Sequence, residues 1–421
     1  MSEDIIILGQ DCILEGKVGA TRPNDNVIVV GPTGGGKSMS IAYPTMLYMQ
    51  TASSFANFSK RNDALRMAVD YRRRGYKVMV CDLDHPDKSD VFFDPNKYIA
   101  SYDDISSMSA QIVHSVLKKT NDDYWNGKAI PLLSGLHAAS NMTKDDASYA
   151  DVLDLFDDLS VEECGSGITT GLDGVFRTIK THDPHCFAAR EFYSFRMLPI
   201  KTAACVRDTL AAALSNVFPE GIRKAIREKP SIDFIRMARE KTALFIICSP
   251  VNRSAHPFAN LLYDTAIKVL LNYSQECVDG KLPIPVKFFF DDMACSAPVL
   301  AFPQQISIFR SAGINVMLLL QSESQLRSTY GEDDATTIIN NCSTYVFFPG
   351  GADLRTCRNV SERMNIPLED VLYAPIGKVF IMQAGRKPII VPRYDILNDP
   401  RYMQMMKGRP NTEPKPLDRR E

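Results

Sequence analysis

Paired cysteines and an excess of one charge are both missing from this sequence. The ten cysteines are scattered singly, the closest two being Cys342 and Cys357, which excludes a C-x-x-C metal or redox site and favours a reducing compartment. The 48 Lys and Arg residues balance 50 Asp and Glu residues, so bulk charge does not predict nucleic-acid binding. Any contact with nucleic acid must therefore be local.

Long apolar segments are also lacking. The first ten residues carry two acids and no apolar h-region, which argues against a secretory signal peptide. The longest uncharged run, Ser38–Ser59, contains Pro44, Gln50, Asn57 and several Ser and Thr residues. Such a run is too polar for a bilayer core, so we expect a buried helix and strand there, in a cytoplasmic protein.

A phosphate-binding loop follows the first β-branched run, Asn26–Val30. It matches the P-loop pattern G-x-x-x-x-G-K-S and consists of Gly31, Pro32, Thr33, Gly34, Gly35, Gly36, Lys37 and Ser38. The glycines allow backbone N–H groups to turn toward phosphate, Lys37 neutralises the β- and γ-phosphate oxygens, and the Ser38 hydroxyl binds Mg²⁺. The alternative is a glycine-rich turn with a chance lysine, which the strand before and the helix-capable segment after disfavour.

Two carboxylates follow the apolar run Phe288–Phe290. Open α/β sheets bind ligands at the carboxyl ends of their strands, and a P-loop enzyme needs an acid there to hold Mg²⁺. We therefore predict Asp291 as the Mg²⁺ partner and Asp292 as the base that activates water. The alternative is a solvated pair of acids that opens a turn.

The run Ile314–Leu320 has a candidate residue on each side. Gln321 follows it directly and is predicted to reach the γ-phosphate or its water, unless it is an ordinary strand-end glutamine. Arg310 precedes the run and is a candidate arginine finger for the nucleotide of a neighbouring subunit. On spacing alone, a surface arginine at a helix C-terminus fits Arg310 nearly as well.

The order of apolar runs predicts the fold class. Near-continuous apolar runs alternate with helix-length stretches, which is typical of an α/β fold with a mainly parallel sheet covered on both faces. These runs are 54–58, 77–83, 243–248, 286–290, 314–320 and 344–348. Residues 102–229 instead show helical spacing and predict an all-α insertion. The predicted domains are thus 1–101 with 230–398, the insertion 102–229, and a flexible tail, 399–421.

Together with the P-loop and the Asp291–Asp292 pair, three further motifs identify a resemblance. They are Leu318-Leu319-Leu320-Gln321-Ser322-x-x-Gln325-Leu326, Tyr330-Gly331 and Ile339-Asn340-Asn341-Cys342. The chain resembles the TraG-type coupling proteins of conjugative type IV secretion systems over nearly its whole length. The resemblance implies a RecA-like P-loop ATPase that uses ATP and Mg²⁺ and forms a homo-hexamer around DNA, single- or double-stranded. It also implies a relaxase or accessory protein as partner at the all-α domain, and membrane components of the secretion system. In that family an arginine between the carboxylate and glutamine strands acts across the subunit interface, which supports Arg310.

Three departures from the family pattern leave a second function open. Asp292 stands where the family usually has Glu, Asn57-Phe58-Ser59-Lys60 stands where members often carry Asp-Pro-Lys, and the transmembrane helices of most members are absent. We expect a coupling protein that drives transfer and is recruited to the inner face of the membrane by a partner. The alternative is a nucleotide-switched receptor with weak or no ATPase activity that recruits protein substrates.

Two charged segments bear on the substrate. The stretch Lys60–Lys77 is rich in Lys and Arg and either lines a pore for DNA or forms a solvated helix face. The insertion carries Asp151, Asp154, Asp157, Asp158, Glu162 and Glu163, with no Lys or Arg between them. If unneutralised, these acids would attract a basic protein partner and repel DNA; otherwise they only solvate the surface.

Overall fold

The computed structural model describes residues 4–15, 24–115, 123–165, 167–291, 299, 301–351 and 353–407. These residues form two compact units, Met1–Asp82 with Asp233–Val251 and Ala266–Glu421, and Leu83–Ile232 with Asn252–Thr265.

The strands are β1 (Ile5–Gly9), β2 (Cys12–Glu15), β3 (Val27–Val30), β4 (Ser53–Phe58), β5 (Lys77–Asp82), β6 (Val161–Cys164), β7 (Gly167–Thr170), β8 (Thr242–Ile247), β9 (Val286–Asp291), β10 (Ile314–Leu320), β11 (Thr344–Phe347), β12 (Lys378–Gln383) and β13 (Ile389–Pro392).

The helices of the first unit are α1 (Tyr43–Tyr48), α2 (Arg61–Arg73), α10 (Arg236–Arg239), α12 (Phe302–Ile306), α13 (Phe309–Ala312), α14 (Glu323–Tyr330), α15 (Glu332–Asn340), α16 (Leu354–Met364), α17 (Leu368–Leu372) and α18 (Pro400–Lys407). Those of the second are α3 (Tyr102–His114), α4 (Asp123–Thr143), α5 (Tyr149–Asp157), α6 (Asp173–His182), α7 (Phe187–Arg196), α8 (Ile200–Val217) and α9 (Glu220–Glu228), and α11 (His256–Glu276) contributes to both.

One large sheet organises the first unit. Among the described residues it has nine strands, in the order β13-β12-β11-β3-β10-β9-β4-β8-β5. The seven strands from β11 to β5 run parallel, whereas β12 pairs antiparallel with both of its neighbours, β11 and β13. Every residue of β3 and β8 is buried, so the sheet is covered on both faces there, as the apolar runs predicted.

The register of β10 brings three strand ends together. β10 lies between β3 and β9, with Leu320 opposite Val30 and Leu319 opposite Asp291. Because parallel strands share one direction, the loops after β3, β9 and β10 leave the sheet at the same edge.

A buried lysine lies in the middle of this sheet. Lys287 is 5% exposed on β9, opposite Ser54 of β4 and Asn315 of β10. Burial removes water from its ammonium and lowers its pKa to about 8 from the usual 10.5. The charged form therefore costs stability in the folded protein.

Lys287→Met is expected to raise the free energy of unfolding at pH 7 by up to about 3 kcal/mol, because the apolar side chain needs no solvation. In the unfolded state Lys287 keeps its proton up to its ordinary pKa of 10.5, whereas in the folded state its pKa is about 8. The free energy of unfolding of the wild type therefore rises as pH increases above about 8. The difference in free energy of unfolding between variant and wild type should narrow above pH 8. Denaturant titrations at pH 7, 8 and 9.5 measure it, with the exposed Lys281→Met as control. A gap that is absent at pH 7, or constant with pH, would contradict the assignment.

Where its residues are described, the second unit is helical apart from one hairpin, which corrects the prediction of an all-α insertion. Strands β6 and β7 pair antiparallel around Gly165, whose φ is +61°. β-branched residues at Val161, Ile168 and Thr169 favour strand over helix here. The predicted insertion, 102–229, falls within this unit, which begins earlier because Phe92 pairs with the 230–232 backbone and stacks on Phe258 at 5.5 Å.

The predicted flexible tail, 399–421, is in part a helix. The Asp399 carboxylate accepts hydrogen bonds from the N–H groups of Arg401 and Tyr402 and so caps α18. Met405 is buried against the core of the first unit, and the Arg401 guanidinium stacks on Tyr48 at 4.1 Å. Residues 408–421 lie outside the described part of the chain.

Among the described helices, none combines the length and the apolar character needed to cross a bilayer.

Candidate nucleotide-binding site

The loop after β3 needs its glycines. Gly34 and Gly36 have φ values of +78° and +90°, which side-chain-bearing residues rarely adopt. A Cβ on Gly31 would lie 2.5 Å from the Cβ of Phe348, so only glycine fits beside the end of β11. The loop backbone is therefore fixed by conformation at two positions and by space at a third.

Lys37 is turned back onto this loop. Its Nζ donates hydrogen bonds to the carbonyl oxygens of Gly31 at 2.6 Å and Pro32 at 3.1 Å, and the side chain is buried. These contacts hold the ammonium inside the loop curve, where P-loop backbone amides face a phosphate. The helix that follows begins with one π-helical turn, Ser38–Ala42, before continuing as α1. Such turns are rare and occur frequently at functional sites.

Ser38 and Asp291 meet across the sheet edge. The Ser38 Oγ lies 3.4 Å from Oδ1 and 3.3 Å from Oδ2 of Asp291. Oxygen ligands that share one Mg²⁺ at right angles are about 3 Å apart, and hydroxyl and carboxylate oxygens are the donors it prefers. These two residues therefore fit a magnesium ion.

Asn57 supports the same strand end. Its Nδ2 donates a hydrogen bond to the backbone oxygen of Asp291 at 3.2 Å. Where related proteins often have an acid, this chain thus has an amide that holds the carboxylate strand in place.

Gln321 leaves β10 beside the P-loop. The Gly31 N–H donates to the carbonyl oxygen of Leu320 at 3.1 Å, so Gln321 is the next residue at that edge. Its Oε1 accepts a hydrogen bond from Gln325 Nε2 at 3.3 Å, and the Ser322 hydroxyl caps α14. The strand end and the helix cap fix where this amide starts.

Behind Gln321 lies a buried carboxylate that the sequence did not reveal. Glu323 has no exposed side-chain surface and accepts hydrogen bonds from Tyr345 at 2.9 Å, Arg363 at 3.0 Å, Asn359 at 2.7 Å and Arg327 at 3.4 Å. Burial, and next the Glu323 charge, raise the pKa of Tyr345 well above its usual value. In sequence, an acid in the first turn of a helix indicates only a favourable dipole contact.

Of the two remaining predicted catalytic residues, one lies outside the described part of the chain and the other is not brought to this site. Asp292 lies outside the described residues, so its role as base stays a prediction. Arg310 is exposed on α13 and precedes β10, whereas Gln321 follows it. A seven-residue strand spans about 20 Å, so Arg310 lies at the opposite edge of the sheet from its own P-loop.

Half of the acidic cluster of the insertion is neutralised, which corrects one premise of the predicted docking surface. Asp151, Asp154 and Asp157 form ion pairs with Lys144, Arg227 and Arg223, respectively. These cations lie outside the acidic stretch in sequence, so the local pattern missed them. Asp158, Glu162 and Glu163 remain exposed.

The basic stretch 60–77 is partly used within the fold. Arg61 pairs with Asp82, and Arg74 pairs with Asp70 at 2.7 Å while donating to the Met49 carbonyl. The side chains of Lys60, Arg72, Arg73 and Lys77 are exposed. Any DNA contact from this stretch would have to use these four or the partly exposed Arg66, whose Nη1 lies 3.6 Å from the Met406 sulfur.

Comparison with solved structures establishes the fold. The bacterial conjugative coupling protein TrwBdeltaN70, in complex with sulphate, has a TM-score of 0.63 at 15% identity over 88% of this chain and 86% of that one. TrwB in complex with ADP and Mg²⁺ gives 0.54 at 16% identity, over 88% and 85%. VirB4 of Thermoanaerobacter pseudethanolicus gives 0.57 at 10% identity, over 96% and 98%. The predicted fold class, a RecA-like P-loop protein with an inserted helical domain, is confirmed, and the described residues of the inserted domain add a β-hairpin.

Sequence similarity identifies the family of this chain. No curated protein sequence gives a significant match. The family described as type IV secretory system conjugative DNA transfer matches residues 4–364, which include the P-loop, Asp291 and Gln321. The predicted resemblance to coupling proteins of conjugative secretion is thereby confirmed. The chain belongs to the type IV secretory system conjugative DNA transfer family.

Proposed function

We propose that this protein hydrolyses ATP with Mg²⁺ and uses that energy to move DNA in conjugative type IV secretion. The observation that carries the proposal is the approach of the Ser38 hydroxyl to the Asp291 carboxylate beside Lys37. TrwB, which shares this fold, is described in complex with ADP and Mg²⁺. Membership in the conjugative DNA transfer family supports DNA as the cargo.

The roles of the residues follow from their chemistry. Gly31 to Gly36 direct backbone N–H groups at the phosphates, and Lys37 moves from the loop carbonyls to the β- and γ-phosphate oxygens. Ser38 and Asp291 hold Mg²⁺, which, when bound, neutralises charge that develops on the phosphates. Gln321 orients the attacking water, and Asp292 accepts its proton.

The assembly and partners are proposed on the family resemblance. Six copies form a ring with DNA in its pore, and Arg310 acts on the nucleotide of the next subunit. Arg310 lies about 20 Å from its own P-loop, so the nucleotide on which it acts must be bound by a neighbouring subunit. A relaxase or accessory protein meets the helical unit, and membrane components of the secretion system recruit the ring to the inner face of the membrane.

The deciding experiment is ATP turnover by the purified protein with and without DNA. A transfer motor is expected to hydrolyse ATP slowly alone and faster with DNA, because cargo in the pore orders the shared sites. The competing function, a nucleotide-switched receptor for protein substrates, predicts ATP binding with no turnover in either condition. That result, obtained with protein shown to bind ATP, would replace the proposal.

Arg310→Ala is expected to lower DNA-stimulated turnover about 1,000-fold without lowering ATP affinity, because the guanidinium contacts only the transition state in a neighbouring subunit. Turnover and equilibrium ATP binding are measured on the same samples. The exposed Arg358 on α16 provides a matched control, and Arg358→Ala should retain the wild-type rate.

Mixing tests whether Arg310 acts across an interface. Arg310→Ala protein mixed with Lys37→Ala protein should regain activity, since an intact P-loop can then meet an intact finger. Two inactive proteins that stay inactive in every ratio, while shown to co-assemble, would place Arg310 outside the reaction.

A further inference from the structure

An arginine that sequence analysis did not single out lies against the phosphate loop. Arg393 follows β13, and its backbone N–H donates to the Gly377 oxygen at 2.8 Å, which fixes its start beside β12. Its Nη1 lies 3.4 Å from the point that a Cβ on Gly36 would occupy. The antiparallel hairpin β12–β13 thus delivers a guanidinium to the residue that precedes Lys37.

The charge of this guanidinium is unused within the described part of the chain. Arg393 is exposed and forms no side-chain hydrogen bond or ion pair with another described residue. Three other arginines of this unit are engaged: Arg363 and Arg327 bond the buried Glu323, and Arg355 bonds Glu332. An unpaired guanidinium beside a loop built for anions has five N–H donors available.

The position of Arg393 points to phosphate rather than to another part of a nucleotide. Gly36 is followed in sequence by Lys37 and Ser38, the residues that act on the β- and γ-phosphates and on Mg²⁺ in this class of site. Lys37 supplies one cation, whereas a bound triphosphate carries several negative charges. A guanidinium makes charge-assisted, often bidentate contacts with phosphate oxygens.

We propose that Arg393 binds the phosphate chain of the nucleotide held in the P-loop of its own subunit. The proposal rests on the proposed function for the presence of the nucleotide, and it adds a second phosphate-binding cation supplied in cis by the β12–β13 hairpin. Two cations would then bind the phosphates, Lys37 from the loop itself and Arg393 from the residue that follows β13.

The test compares ATP with inorganic tripolyphosphate, which has the phosphates but neither base nor ribose. Displacement of a fluorescent ATP analogue from the full-length protein, with Mg²⁺ present, gives the affinity for each. Arg393→Gln is expected to weaken both ligands about 10-fold to 100-fold, and Arg393→Lys should recover part of the loss. Lys387→Gln removes an exposed cation from the turn at the far end of β13 and should leave both affinities within about twofold of wild type.

A second measurement needs no variant. Phenylglyoxal modifies exposed arginines, and peptide mass spectrometry reports the extent at Arg393. ATP and tripolyphosphate should both protect Arg393 from modification.

The outcomes separate this proposal from the function it rests on. Wild-type protein that binds no Mg-ATP would contradict the proposed function itself. Normal ATP binding with no loss in Arg393→Gln and no protection would overturn only the Arg393 assignment. A loss confined to ATP, with tripolyphosphate unaffected, would assign Arg393 to the base or ribose and would also overturn the proposal.

Discussion

Lys37→Ala is expected to lower ATP turnover at least about 100-fold, because it removes the ammonium that the Gly31 and Pro32 carbonyls hold inside the phosphate loop. Turnover is measured at saturating ATP, both without DNA and with saturating DNA. The thermal midpoint of unfolding, measured on the same protein, shows whether the variant is folded.

The hydrogen bonds that Lys37 makes to Gly31 and Pro32 call for a second variant. Lys37→Gln keeps one hydrogen-bond donor for the loop carbonyls but removes the positive charge. Both variants should be inactive if charge on the phosphates is what matters. Activity retained by Lys37→Gln would mean that the lysine mainly shapes the loop. Lys60→Ala, at an exposed lysine of the same unit, controls for a general loss of charge in assays without DNA.

Glu323→Ala is expected to lower the free energy of unfolding by about 3–5 kcal/mol, the largest stability effect that we predict. The carboxylate is fully buried, and its loss removes the acceptor of Arg363 and of the Tyr345 hydroxyl and one of the two carboxylates that bond Arg327. Denaturant titration of the purified protein measures the change.

The same cluster offers a matched control. Glu332 also pairs with Arg327, and with Arg355, but its side chain is 57% exposed. Water replaces an exposed partner, so Glu332→Ala should cost less than about 1 kcal/mol. Glu323→Gln should fall between the two, since it keeps acceptor and donor groups but no charge. Equal effects of Glu323→Ala and Glu332→Ala would show that burial does not set the strength of this network.

The parallel part of the sheet and the phosphate loop were predictable because their signals are local. The apolar runs at 54–58, 77–83, 243–248, 286–290, 314–320 and 344–348 agree with β4, β5, β8, β9, β10 and β11 within about two residues. A strand buried on both faces must be apolar throughout, so its pattern does not depend on which strand lies beside it.

The parts that could not be predicted depend on distant residues. β13 lies at the edge of the sheet and leaves Ile389 and Ile390 exposed, so neither burial nor alternation marks it. Helix α18 depends on the capping carboxylate of Asp399 and on a buried place for Met405, which a polar tail sequence does not indicate. The partners of Glu323 and of the insertion acids lie far along the chain or on other helices, where spacing carries no information.

The strand β10 also has a mechanical consequence. Gln321 follows one end of it, Arg310 precedes the other, and hydrogen bonds to β3 and β9 run along both sides. A strand that is hydrogen-bonded along both sides in a close-packed interior shifts as a rigid rod, because neither a change in its length nor a movement of its neighbours can absorb a displacement. In the proposed ring, β10 would transmit a movement at one subunit's γ-phosphate to Arg310, which acts on the nucleotide of the next subunit, with no hinge between them. The direction of this strand would then set the order in which the subunits hydrolyse ATP.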